Sequence, residues 1–154
     1  MSDVILNKIS TIKKCQKRIK EEYDSSFKSN FTKQDSVILN LERLSQASID
    51  IATHIVKEKK LGLPQTSREL FTLLESDQII TATISEQMKA MVGFRNIAVH
   101  DYQNLNLDIV IAIVEKHLED FTHFYDAVIK NFLMMRLDET SREAQTAGRI
   151  CPRS

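Results

Sequence analysis

The chain has 154 residues, with three Gly, two Pro and no Trp, 42% apolar and 27% charged side chains; that is one domain's length, able to bury a core and rich in helix formers. Its 21 acidic and 21 basic residues cancel to zero net charge, which excludes a global electrostatic pull toward nucleic acid or membrane and leaves only local patches. No apolar run approaches the roughly 20 residues of a membrane span, and MSDVILNKIS lacks a signal peptide's charged-then-apolar order, so a cytoplasmic protein with no membrane association and reduced thiols at Cys15 and Cys151 is expected.

Helix-period stripes dominate, and strand-like alternation is scarce. Ile5, Ile9, Ile12, Cys15, Ile19 and Tyr23 recur at three- and four-residue steps and predict a first helix. SSFKSNF breaks that pattern, and Asp35 or Thr32 is the expected cap of a second helix carrying Ile38, Leu41, Leu44, Ser48, Ile51 and Ile55. It should stop before KKLGLP, where Gly62 and Pro64 lie. Thr66 with Glu69 makes a capping box for a short third helix, SRELFTLLES. Thr83 with Glu86 repeats it for a fourth, running through Met88, Met91 and Val92. Asn106 or Asp108 opens the last helix, whose Val110, Val114, His117, Phe121, Phe124 and Val128 step 4-3-4-3-4 along one narrow seam. The expectation is an all-α antiparallel bundle of four or five helices over residues 1–133. Residues 134–154, which include RLDETSREAQTAGRICPRS, carry little periodic apolar content and are expected to be disordered or foreign to the native chain.

A bundle does not specify a function; the stretch MVGFRNIAVHDYQN has to. It sets Arg95, Asn96, His100, Asp101 and Tyr102 within eight positions at the end of an apolar helix. Arg95 and His100 are five apart, about 140° around a straight helix. They converge if the helix stops at about Val99 and His100 swings back, or if two copies of the motif face each other across a symmetric dimer. An imidazole takes and returns protons near neutral pH, and a guanidinium grips phosphate oxygens with parallel hydrogen bonds. Together they suit cleavage of RNA: His100 to deprotonate the ribose 2′-OH or protonate the leaving oxygen, Arg95 to stabilise the phosphorane. DNA lacks that hydroxyl. No His–Cys cluster or carboxylate set at ligand spacing accompanies them, so no metal and no cofactor is expected. The plainer alternative is a helix-end arginine in a surface salt bridge.

Elsewhere the reading is structural. His117 lies on the apolar seam and reads as a satisfied core or interface histidine; His54 and His123 read as structure or surface. Met88 and Met91 read as core or interface filling. KKCQKRIK sets Lys13 and Lys17 among the cations of the first helix, where they could track an RNA backbone, although EEYD follows at once.

By its Arg-x4-His-x-Tyr arrangement, GFRNIAVHDY resembles HEPN-domain proteins, in particular the HepT toxin family. NLERLSQASIDIATHI at 40–55, GLPQTSRELFTLL at 62–74 and MVGFRNIAVHDY at 91–102 extend the resemblance, which spans roughly residues 1–133 in order. It implies a helical homodimer acting as a metal-independent endoribonuclease toxin, with a composite cleft between protomers. Arg95 and His100 would be its catalytic pair, with Asn96 shaping the site. It also implies a minimal nucleotidyltransferase antitoxin as partner, able to join the dimer in a larger hetero-oligomer and to silence it by transferring AMP to Tyr102. The alternative within the same fold is a non-catalytic helical module that binds nucleotide or the nucleotidyltransferase.

Overall fold

The isoleucine stripe of the N-terminal segment becomes one face of helix α1 (Asp3–Glu22), with Ile5, Ile9, Ile12, Cys15 and Ile19 all buried. Ser2 caps it, its Oγ accepting from the Ile5 N–H at 3.3 Å. The computed structural model describes residues 2–150, with side chains through residue 146. That stripe packs on α2 (Phe31–Lys59), 29 residues long and so about 43 Å at 1.5 Å per residue. Helix α2 touches α1 and three later helices, and the residues it buries against them are mostly apolar. Where two serines fall inside, Ser45 and Ser48, their hydroxyls donate to the Leu41 and Leu44 carbonyls at 2.6 and 2.9 Å, so neither is left unsatisfied.

The caps follow the sequence in part. Helix α3 (Ser67–Ser76) starts at Thr66 as expected: the Glu69 N–H donates to Thr66 Oγ1 at 3.3 Å, and the Glu69 carboxylate accepts from the Gln65 N–H at 2.6 Å. Helix α5 (Leu107–Ala112) is capped by Asn106, which accepts from the Asp108 N–H at 2.8 Å. Two caps differ from expectation. Helix α2 begins at Asn30, not at Thr32 or Asp35, because a 3-10 turn at Phe27–Ser29 anchored by buried Phe27 delivers Asn30 to accept from the Lys33 N–H at 3.1 Å. Asp35 is thereby left on the outer face of the second turn. Helix α4 (Ala82–His100) begins at Thr81 rather than Thr83, because Ile79 and Ile80 are buried and leave Thr81 extended, accepting from the Ile84 N–H at 3.2 Å.

A π turn at Ile113–His117 joins α5 to α6 (Leu118–Ile150). Its wider winding shifts the apolar register, so that Leu118 takes the buried place expected of His117. His117 is not a core histidine: its side chain is 56% exposed and its Nδ1 lies 3.0 Å from Asp120 Oδ2. Val110, Phe121, Phe124 and Val128 of the seam are buried as expected. Gln16 ties α1 to this region, its Nε2 donating to the Leu118 carbonyl and Thr122 Oγ1 at 3.0 Å each.

The fold is the expected all-α antiparallel bundle, with the α5–α6 rod as its last member. At the C-terminal end residues 134–150 continue α6 as helix, past Phe132, which still packs on the core, and their side chains are exposed through residue 146. Residues 151–154, Cys151 among them, lie outside the described residues. No described helix is long and apolar enough to cross a membrane.

Candidate functional site

Helix α4 packs its Met88, Met91, Val92, Phe94 and Ala98 into the core, which fixes where its polar residues emerge. Arg95 emerges toward α2, half-buried. Its Nη2 donates to Gln46 Oε1 at 2.7 Å, and its Nη1 to Asn96 Oδ1 at 3.4 Å. Gln46 cannot turn its amide round at no cost: its Nε2 donates to Asp50 Oδ1 at 2.8 Å, and Asp50 in turn pairs with Lys8 at 2.9 Å. Glu42, one turn before Gln46, has its carboxyl pushed up by burial, with the Arg95 charge opposing that rise. The guanidinium is thus held in a polar seat on α2 before any ligand arrives.

Tyr102 returns to the same face of α2, nearer its N-terminus. It opens the 3-10 turn Tyr102–Asn104, which the Asn104 side chain braces by donating to both Asp101 carboxylate oxygens at 2.9 and 3.0 Å. Its hydroxyl donates to Asp35 Oδ1 at 2.5 Å. That hydrogen bond, then burial and the charges of Asp35 and Glu42, pushes the phenol up to about 12. The ring stays 47% exposed. Asp35, Glu42 and Gln46 follow one another at helical spacing, so a single stripe of α2 faces both Arg95 and Tyr102.

His100 is placed otherwise. Helix α4 does not stop at Val99; it includes His100, and the Asp101 N–H closes it on the Ile97 carbonyl at 2.8 Å. The five-residue spacing therefore keeps its full rotation of about 140°, and the expected swing back toward Arg95 does not occur. The imidazole is exposed and makes no hydrogen bond or ion pair among the described residues. Within one chain Arg95 and His100 do not converge. Asn96 is exposed between them, and Ile97 and Val99 beside it stand 44% and 46% exposed.

Arg68 of α3 was not legible as a neighbour of this helix. A Cβ at Gly93 would sit 2.9 Å from Arg68 Nη2, so the bare glycine lets the guanidinium lie against α4. Gly93 and His100 are seven apart, within about 20° of the same face. The one available signal was a glycine inside a helical pattern, where it costs about 1 kcal/mol relative to Ala.

Lys13 and Lys17 are not brought to the motif. Lys13 Nζ lies 5.4 Å above the Tyr125 ring, and Lys17 lies 4.0 Å from Glu21. His54 is structural, 3.0 Å from Ser2 Oγ and 3.3 Å from Glu58, and His123 is exposed. A cavity of about 310 Å³ between α2, α4 and α6 is lined by Leu41, Met88, Met91, Phe94 and Phe121 and by no lysine or arginine, which suits no phosphate. No group of three or more His, Cys, Asp or Glu among the described residues could hold a metal ion.

The chain is similar to known proteins over most of its length. A family model described as Ribonuclease HepT-like matches residues 5–128. The mRNA nuclease HepT of Shewanella oneidensis is 58% identical over 130 residues, covering 83% of this chain and 98% of that protein. The tRNA nuclease HepT of Aphanizomenon flos-aquae is 28% identical over 128 residues, 83% of this chain and 84% of its own. A solved structure of the tri-AMPylated Shewanella oneidensis HEPN toxin in complex with an MNT antitoxin superposes with a TM-score of 0.81 at 57% identity, covering 84% of this chain and 99% of that one.

Proposed function

The chain belongs to the HepT-like ribonuclease family, and from that premise we propose that it is a metal-independent endoribonuclease toxin, working as a homodimer in the cytoplasm and silenced by a minimal nucleotidyltransferase antitoxin. The observation that carries the reading is the split in the motif: a guanidinium seated on α2 by Gln46, and an unpartnered, exposed imidazole five residues on. A second protomer would supply what one chain lacks, placing its own His100 against this Arg95. The exposed Ile97 and Val99 give that interface apolar surface to bury.

In the assembled cleft His100 exchanges a proton with the ribose 2′-OH or the leaving 5′ oxygen. Arg95 binds the phosphate and gains most as charge builds on the phosphorane, because its seat is already formed. Asn96 orients the guanidinium or the RNA. The antitoxin transfers AMP to Tyr102; an adenylate there adds bulk and negative charge two residues from His100, where RNA has to approach. The tri-AMPylated state of the Shewanella relative, in complex with its MNT antitoxin, supports this mode of silencing.

The test is incubation of the purified protein with total RNA in EDTA. The expected result is cleavage leaving 2′,3′-cyclic phosphate ends, abolished in H100A. Intact RNA with the wild-type protein would instead favour the non-catalytic module.

A further inference from the structure

Asp35 stands on the second turn of α2 with no cation paired to it among the described residues; its one side-chain partner is the Tyr102 hydroxyl, 67 positions away and 2.5 Å from its Oδ1. Resting on the reading of Tyr102 as the AMP acceptor, we infer that Asp35 is the general base of that modification, so that this chain and not the antitoxin alone supplies the group that deprotonates the attacking phenol.

The step balances as follows. The phenolic oxygen attacks the α-phosphorus of a nucleoside triphosphate, and the new O–P bond forms as the bond from that phosphorus to the bridging oxygen breaks. Pyrophosphate leaves with the electron pair, and the phenolic proton passes to the Asp35 carboxylate. Prior ionisation is a poor route: with the phenol pushed up to about 12, only about one molecule in 10⁵ is tyrosinate at neutral pH. The proton therefore has to leave as the O–P bond forms, when the oxygen's basicity collapses, and it leaves to the group already receiving its hydrogen bond. Glu42 contributes charge nearby but makes no hydrogen bond to Tyr102, and His100 emerges on another face of α4. Reaction also breaks the contact that prepared it. In the adduct the phenolic oxygen has no proton left to donate to Asp35, and the new phosphodiester carries a negative charge beside two carboxylates, so it is driven away from α2, out toward the approach to His100.

The experiment follows the mass of the full-length protein with Mg–ATP and a minimal nucleotidyltransferase antitoxin, comparing wild type with Y102F, D35N, D35A and D35E. Thermal unfolding of each variant establishes that it folds. The expected result is no AMP on Y102F, transfer slowed about 100-fold in both D35N and D35A, the low end of what a positioned base contributes, and substantial recovery in D35E. Asparagine keeps the shape and the hydrogen bond but cannot take the proton, so its equivalence to alanine is the signature of a base. Wild-type rates in D35N, with Y102F inert, would overturn the role of Asp35 and leave the acceptor assignment standing. Modification of Y102F at the wild-type rate would overturn the acceptor assignment, and the role of Asp35 with it.

Discussion

The 95–102 segment has two sides that the fold treats differently. Arg95 and Tyr102, seven residues apart, both return to one stripe of α2 and are held there by Gln46 and Asp35. His100, between them in sequence, is turned away and holds nothing among the described residues. The difference separates preorganisation from availability. In the roles proposed for them, a phosphate-binding Arg95 works best when its geometry is fixed in advance, whereas a His100 shared between protomers has to stay open to the partner's surface. On the α2 side, mutations should therefore cost both stability and activity; at His100 they should cost activity alone.

The largest expected effect is at His100. H100A should lower RNA cleavage by roughly 10²- to 10⁴-fold while leaving the thermal unfolding midpoint unchanged, and initial rates in EDTA beside a melting curve check both halves. R95A should abolish cleavage comparably but also destabilise the fold by about 1 kcal/mol, because it leaves the Gln46 carbonyl without its donor. Equal melting curves for the two alanine variants would erase the contrast between the sides. Smaller again, Q46A should reduce cleavage about tenfold, the worth of one hydrogen bond to a charged group, with R95K failing to match it because a lysine lacks the planar fork.

Two gentler perturbations sharpen the picture. In a spectroscopic pH titration, Tyr102 should ionise near 12 and move down toward its ordinary value of 10 in D35N. Tyr23, pushed up to about 12 chiefly by its hydrogen bond to Glu115, should stay put in that variant. The sign follows from linkage: the folded phenol holds its proton more tightly than the unfolded one. The stability it contributes is therefore full below pH 10 and lost as pH rises through about 12. Gentlest of all, G93A should not destabilise the fold: alanine in the helix gains up to about 1 kcal/mol, less what it costs to move the flexible end of Arg68, which its Cβ meets. Any fall in RNA affinity would mark the displaced guanidinium as a phosphate contact on the His100 face.

How far the residues alone foretold this depends on whether a feature is local. Apolar periodicity revealed α1, α2 and the α6 seam, and the Thr66 and Asn106 caps were legible because each is closed by residues two or three positions away. The caps at Asn30 and Thr81 were missed because buried Phe27, and buried Ile79 and Ile80, move the helix starts from outside the helix. The π turn left no periodic mark, so His117 was misplaced. The helical course of residues 134–150 was missed because an apolar stripe reports packing, and a helix can outlast it. The proposed site residues Arg95, Asn96, His100 and Tyr102 come from one motif, while Gln46, Glu42, Asp35 and Arg68 around them carry no local sign. Their nearness is set by how α2 and α3 lie against α4.

The decisive question for the mechanism is whether Arg95 and His100 act across protomers. Purified R95A and H100A proteins, each inactive, should be unfolded together, refolded as a mixture and assayed on RNA. Random pairing makes about half of the dimers mixed, each with one intact composite site, so about a quarter of wild-type cleavage should return. No recovery, in a mixture shown to contain mixed dimers, would contradict a site shared between chains.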